Sequence, residues 1–284
     1  MAFIDTVIQQ SQRVVQQHSW GDAVWHVWGG RDHQQQPPLV LLHGGSGSWS
    51  HWVRNVLHWA QQRPVWALDL PGFGDSTLPP EVRDADSLAP YVGDVLHNTF
   101  PSQALDVMGF SFGGLTAGLL AATRPELFNR LFLVGVPGLG LMRESLPMRG
   151  MLPEMTHAQQ RAVHRHNLRV MMLHDETSIT EELIDMQEAN VARDRMRRRR
   201  IARTDVLAQV QDAWLCPVHG IWGEKDALYQ SNLPRIPEVL HRLDSFHLIA
   251  NAGHWVAYEN ADTFHQVVDQ LLNDTRPPRE SPHV

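Results

Sequence analysis

The run Val107-Met108-Gly109-Phe110-Ser111-Phe112-Gly113-Gly114 constrains this chain more than any other feature. A strand-like stretch enters a Gly-x-Ser-x-Gly turn and leaves as a helix of small residues, Leu115-Thr116-Ala117-Gly118. A serine on so tight a turn needs glycine on both sides, because side chains there collide with the adjoining strand and helix, while Ser111 Oγ is pushed out over the sheet. Gly-x-Ser-x-Gly alone is common in ordinary turns. The strand before it and the helix after it supply the context of a nucleophile elbow.

A serine hydroxyl is a weak nucleophile near neutral pH, so a base must take its proton and a carboxylate must orient that base. With 17 histidines in the chain, composition does not choose the base. Position does: Ala252-Gly253-His254-Trp255 follows the last apolar strand and precedes the last amphipathic helix, which puts His254 at the carboxyl edge of the expected sheet. His43 also ends a strand, but Gly44-Gly45 follow at once and its task is to brace that loop. Asp226, just after the run Val218 to Trp222, is the acid, with Glu224 as runner-up; Asp69, Asp75 and Asp244 read as turn or surface residues. The order Ser, Asp, His results. The loop His43-Gly44-Gly45-Ser46-Gly47-Ser48 offers backbone N–H groups for an oxyanion, so the Gly45 amide joins that of Phe112. It lacks the Gly-Lys-[Ser/Thr] ending of a phosphate loop and does not match Gly-x-Gly-x-x-Gly. Ser46, Phe110 and Trp255 are the candidate substrate contacts.

Around these residues the chain alternates. Apolar runs at Leu39 to Leu42, Val65 to Leu70, Leu105 to Met108, Leu131 to Val136, Val218 to Trp222 and Leu248 to Ala250 read as buried parallel strands. Helical spacing fills His51 to Ala60, Ser87 to Asn98, Gly113 to Thr123 and Glu259 to Leu272. That rhythm predicts βαβ units and an α/β sheet covered on both faces. Arg13 to Gln17 and Asp22 to Trp28, ending at Gly29-Gly30, suggest a leading hairpin. Between Gly138 and Gln211 the alternation fails, and eight of the ten methionines fall there among helix formers. We read residues 138–211 as an inserted helical lid on a core of 1–137 and 212–284, its methionines serving lid packing before substrate contact. Low complexity is confined to Gln34 to Gln36 and the polar tail from Asp274.

Charge narrows the partners. Of 24 Lys+Arg, seven lie in the eleven residues Arg193 to Arg203, leaving 17 cations against 30 acids elsewhere. This excludes a chain-wide nucleic-acid footprint, and the arginine run reads as a solvated or salt-bridged helix face. A single cysteine, Cys216, rules out an intrachain disulfide and a cysteine-based zinc cluster. MAFIDTVIQQ is no leader, and no run approaches the ~20 apolar residues of a membrane span, so a cytoplasmic protein is expected.

Leu-Leu-His-Gly-Gly, Asp69-Leu70-Pro71-Gly72-Phe73-Gly74-Asp75-Ser76, Gly-Phe-Ser-Phe-Gly-Gly and Gly-His-Trp together resemble the α/β-hydrolase fold family over nearly the whole chain outside the insertion. The resemblance implies a mostly parallel eight-stranded sheet, a lid after the sixth strand and a triad in the order found here. Gly253-His254-Trp255 followed by Tyr258-Glu259-Asn260-Ala261-Asp262 is similar to the meta-cleavage-product hydrolases, which split carbon–carbon bonds of ring-fission products. Those enzymes have Asn before the nucleophile, where this chain has Phe110, and set a lid arginine against the substrate carboxylate. Relatives that use Asp as nucleophile, the epoxide hydrolases and haloalkane dehalogenases, are excluded by Ser111. The expectation is therefore a serine hydrolase of small or medium carboxylic esters, acting without cofactor or metal on a small-molecule acyl substrate. Carbon–carbon hydrolysis and a non-catalytic ligand receptor are the alternatives, and a homo-oligomer is compatible with the sequence.

Overall fold

A computed structural model describes residues 3–29, 36–142, 145–196 and 199–274; Gly30, Gln34, Gln35, Arg197, Arg198 and the tail beyond Asp274, all noted above, lie outside them. Eight strands form one sheet: β1 (Gln12–His18), β2 (Gly21–Trp28), β3 (Leu39–Leu42), β4 (Val65–Asp69), β5 (Leu105–Phe110), β6 (Phe128–Val134), β7 (Val218–Gly223) and β8 (Ser245–Ile249). Their order is β1-β2-β4-β3-β5-β6-β7-β8. β1 and β2 pair antiparallel in register from Gln12 opposite Val27 to His18 opposite Gly21, the expected hairpin, and β2 meets β4 antiparallel. From β4 to β8 every pairing is parallel.

The all-apolar runs follow from burial on both faces. Side chains alternate across a strand, so in β3 Val40 and Leu42 enter one core with Trp25, Leu88 and Leu120, while Leu39 and Leu41 enter the other with Trp52, Trp59 and Phe264. The helices Ala85–Thr99 and Phe112–Thr123 cover the first face; the helix Ala261–Leu272 and the short Val56–Trp59 cover the second. Each starts where its sequence says it should: Asp84 and Ser87 form a reciprocal cap on the first, and Asn260 accepts from the Thr263 amide on the last.

Three local expectations need correction. His51 to Ala60 is not one helix but a 3₁₀ turn, Trp49–Trp52, followed by Val56–Trp59, because Ser48 caps the first turn and Asn55 opens the second. β8 is an edge strand, half-exposed, with Leu248 facing solvent. The arginine run is not a helix face. The helix Glu181–Ala192 ends before it, and the backbone resumes only a single 3₁₀ turn at Ile201–Arg203.

Between β6 and β7 the chain builds the helices His157–Asn167 and Glu181–Ala192, laced by Arg161 to Glu181, Asp185 and Glu188. It leaves and re-enters the sheet side by side. The Gly138 amide donates to Ala202 O, Gly140 to Thr204 O and Leu207 to Gly138 O, each at 2.9 Å. No helix among the described residues is long and apolar enough to cross a membrane.

Candidate active site

Ser111 stands between β5 and the helix Phe112–Thr123 with φ 49° and ψ −117°, a conformation that L residues seldom adopt. Two anchors hold it there: its amide donates to Val134 O of β6 at 2.8 Å, and its carbonyl accepts from the Leu115 amide at 2.9 Å. The flanking glycines are compulsory. A Cβ on Gly109 would lie 2.4 Å from Gly114 Cα, and one on Gly113 would lie 2.4 Å from the carbonyl oxygens of Leu42 and His43. Backbone against backbone leaves no room to adjust.

The ends of β7 and β8 bring the partners. The Lys225 amide donates to Ala252 O at 2.8 Å and the Glu224 amide to Ile249 O at 2.9 Å, so the two post-strand loops are stitched together. His254 Nδ1 lies 2.8 Å from Asp226 Oδ2, and His254 Nε2 lies 3.0 Å from Ser111 Oγ. Because a carboxylate only accepts, Nδ1 carries the proton and Nε2 is left to accept from the serine hydroxyl. The other carboxylate oxygen accepts from the Leu228 amide at 2.9 Å, and Asp226 is fully buried. Glu224 points elsewhere, half-exposed and 3.7 Å from Lys225 Nζ. Tyr229, which the sequence did not single out, lies under this pair; burial and then the Asp226 charge push its phenol well above the usual range, and it donates to Val136 O.

The glycine loop is wrapped around two histidines. His43 Nδ1 donates to Gly44 O at 2.8 Å while its Nε2 accepts from the Leu70 amide at 2.9 Å, which braces the loop against the end of β4. His51 Nδ1 accepts from the Gly44 amide at 3.1 Å. That engages Gly44 and leaves its neighbour Gly45 on the cavity wall beside Phe112. Burial drives the His51 pKa well down, with His43 and His254 adding to it, so the ring stays neutral and keeps Nδ1 as an acceptor. His51 was expected only as the start of a helix. Asp69, expected at a turn or surface, is buried: its carboxylate accepts from the Trp49 amide at 2.8 Å and the Asp75 amide at 2.9 Å, fixing the loop that follows β4.

Above Ser111 opens a cavity of about 420 Å³. Its floor is Gly45, Phe110, Ser111, Phe112 and His254; its wall comes from the β6–β7 segment and includes Met142, Met148, Met151, Met171 and Met172. Five of that segment's methionines thus line the cavity, and Met142, Met171 and Met172 also pack into the hydrophobic cores. Arg149, Arg199 and Arg203 also line it, and among the described residues no Asp or Glu does. Two expected substrate contacts are placed differently. Trp255 is fully buried behind the wall, its indole N–H donating to His51 O at 2.9 Å and its ring 4.6 Å from that of His51. Ser46 lines the cavity, but its hydroxyl already donates to Asp194 Oδ2 at 2.6 Å and accepts from Arg199 Nη2 at 2.9 Å. Phe110 does face the cavity, its ring 5.1 Å from that of His254. The arginine run explains itself here: Arg195 donates to the carbonyls of Gly74 and Ser76, Arg193 pairs with Asp75 at 3.1 Å, and the Ile201 amide donates to Asp84 at 3.1 Å.

Known proteins share this architecture. The dihydrolipoyllysine-residue acetyltransferase component of the acetoin cleaving system of Pseudomonas putida is 28% identical over 246 residues, which are 83% of this chain and 62% of that protein. The chain therefore spans less than two thirds of that relative. A 2-hydroxy-6-oxononadienedioate/2-hydroxy-6-oxononatrienedioate hydrolase of Paraburkholderia phymatum is 27% identical over 254 residues, covering 82% of this chain and 86% of the relative. Among solved structures, carboxylesterase CesB of Bacillus subtilis superposes with a TM-score of 0.74 at 18% identity, over 95% of this chain and 96% of its own, a likeness of fold. A family profile matches residues 39–267, from the first strand of the parallel sheet into the last helix, and by that match the chain belongs to the alpha/beta hydrolase family.

Proposed function

We propose that the protein is a serine hydrolase of small or medium carboxylic esters. The observation that carries this reading is the unbroken line from Asp226 through His254 to Ser111, 2.8 and 3.0 Å, ending at the floor of an apolar-walled cavity. Ser111 Oγ attacks the acyl carbon as His254 Nε2 takes its proton, and Asp226 stabilises the imidazolium that forms. The carbonyl oxygen, now negative, is met by the amides of Gly45 and Phe112. His254 then returns the proton to the leaving alcohol, the acyl-enzyme remains, and a water activated by the same ring releases the acid. The β6–β7 segment acts as a cap whose methionines adapt to the acyl chain. A buried Cys216, its thiol pushed up to about 12 by burial, is inert and suits a reducing compartment.

One observation favours the second reading, carbon–carbon hydrolysis of a vinylogous β-diketone: among the described residues three arginines and no carboxylate line the cavity, as an acidic substrate would want. Against it, Phe110 sets a ring where dienolate chemistry wants a polar group. The deciding experiment pairs fluorophosphonate labelling of Ser111 with a panel of p-nitrophenyl esters of graded length and a ring-fission dienoate. Labelling with preferred ester turnover is expected. A dienoate cleaved a hundredfold better than any ester overturns the ester reading, and an unlabelled, inactive protein overturns the hydrolase reading altogether.

A further inference from the structure

One buried charged pair at the rim of the site has no part in the line from Asp226 to Ser111. Arg199 and Asp194 lie 3.2 Å apart, Asp194 with only 8% of its side chain exposed. Both hold the same hydroxyl, that of Ser46, at 2.9 and 2.6 Å. Ser46 is next to Gly45 and has φ +51°, a left-handed conformation that costs a serine about 1 kcal/mol or more and persists only where its surroundings impose it. The second Asp194 oxygen accepts from the Met196 amide at 2.9 Å, so the carboxylate is itself fixed.

Arg199 also lies over Gly45. A Cβ there would meet Arg199 Nη1 at 2.8 Å, and the guanidinium carbon is 5.7 Å from the Phe73 ring and 5.8 Å from that of Phe112. Nη1 is buried and has no hydrogen-bond partner among the described residues. The guanidinium, held by Asp194 and Ser46 through Nη2, therefore sets its unbonded Nη1 against Gly45 and lies near Phe112, whose amides were assigned above to the oxyanion. A second tie to the same loop comes from Asn190, which accepts from Ser48 Oγ at 2.8 Å and donates to Ser50 Oγ at 2.9 Å.

We infer that Arg199, oriented by Asp194, is a positioning residue for the oxyanion hole: through Ser46 it imposes the loop conformation that aims the Gly45 amide at the developing charge. The inference rests on Ser111 being the nucleophile. It gives the β6–β7 segment a part in the chemical step, because the hole is complete only when Asn190, Asp194 and Arg199 are seated on the glycine loop.

The test uses neutral p-nitrophenyl butyrate, so that no substrate charge is involved, and an alkylboronic acid, whose tetrahedral adduct on the serine places an oxygen in the hole. Wild-type protein is first shown to label with a fluorophosphonate and to turn over the ester; failure there defeats the hydrolase reading and not this one. In protein that passes, Arg199→Met and Asp194→Asn should lower kcat ~10- to 10²-fold, the size expected of a misplaced catalytic group. Boronate affinity should fall by the same factor and KM should stay within about twofold, since an interaction made only in the transition state lowers kcat without moving KM. Arg199→Lys should recover part of the loss, and Arg169→Gln, at an exposed arginine paired with Glu176, should lose nothing. Should Arg199→Met fail to fold, Ser46→Ala carries the same expectation with a single hydroxyl removed. Full kcat in the Arg199 and Ser46 variants, or a change confined to KM for acidic esters, overturns the inference.

Discussion

The floor and the wall of the cavity are built on opposite principles. At the floor, Ser111, His254 and Asp226 are set by backbone: strand ends in fixed parallel register, and glycines where an added Cβ would lie 2.4 Å from neighbouring main chain. The wall is largely side chain, methionines prominent among them, from the segment between β6 and β7, with Met148 and Met151 still 42% and 40% exposed. A reacting centre displaced by an ångström loses most of its rate, whereas a binding wall gains by adapting. The contrast sets main-chain geometry at the floor against adaptable side chains at the wall, and under the proposed function it divides the chemical step from the choice of substrate.

The sharpest way to break the contrast is at the floor. Ser111→Ala or His254→Ala should each lower kcat by ~10⁴ or more. Thermal midpoints should stay within a few degrees, since neither side chain is structural filling. Residual activity above a hundredth of wild type would place the nucleophile elsewhere. Next in size, Asp226→Asn should cost ~10⁴ because the amide favours the wrong imidazole tautomer, while Glu224→Gln costs less than about twofold. The reverse ranking would move the acid to Glu224.

At the wall the effects should be graded. Replacing Met148 and Met151 by Ala should lower kcat/KM for long acyl esters by about two- to fivefold and leave acetate unchanged, a burial of ~0.8 kcal/mol per CH₂ discounted for their exposure. A uniform loss across chain lengths would show that they hold the cap and not the acyl chain. The smallest effect lies beneath both surfaces, at His265, whose ring stacks on that of His58 at 4.0 Å and accepts from Asn55 Nδ2 at 3.1 Å. Burial first, then the His58 charge, depresses its pKa to about 4. Between about 4 and 6.5 the unfolded chain therefore binds a proton that the folded one refuses, so stability should fall as pH drops through that window. Thermal melts of wild type and His265→Gln at pH 7 and 4.5 check this; an equal loss in both would assign the acid sensitivity to other groups.

Much of this could be read from the chain before its structure. The Gly-x-Ser-x-Gly turn is a local constraint, legible because strand, turn and helix are contiguous, and the all-buried strands reveal themselves by lacking alternation. His254 and Asp226 were found by their place at strand ends, and they do lie within hydrogen-bond distance of one another and of Ser111. What escaped are groups whose meaning depends on partners far along the chain. Asn190 reaches Ser48 across 142 residues and Arg199 reaches Ser46 across 153, and no periodicity records such distances. The arginine run, expected as a solvated or salt-bridged helix face, does form ion pairs, Arg193 with Asp75 and Arg199 with Asp194, but the helix stops at Ala192, and the carbonyls of Gly74 and Ser76 that Arg195 meets lie too far along the chain to be read from it. Trp255 followed a motif and ended up behind the wall, because the sequence gives a residue's neighbours along the chain and not the side it faces.

The paired exit and entry of the β6–β7 segment has an evolutionary consequence. β6 and β7 are adjacent strands, about 5 Å apart, and the first and last residues of the segment are hydrogen-bonded to each other at Gly138, Gly140 and Leu207. Whatever lies beyond that clasp closes on itself and exerts no tension on strand register. Chain-closure entropy grows only with the logarithm of length, about 0.6 kcal/mol for each doubling, so insertions or deletions in the exposed stretch 145–156 cost the core little, whereas Leu168, Leu183 and Ile184 are buried in it. A lineage carrying this clasp can vary the exposed stretch 145–156 while Asn190, Asp194 and Arg199 keep their ties to the glycine loop, so that the outer rim of the cavity drifts and its floor does not.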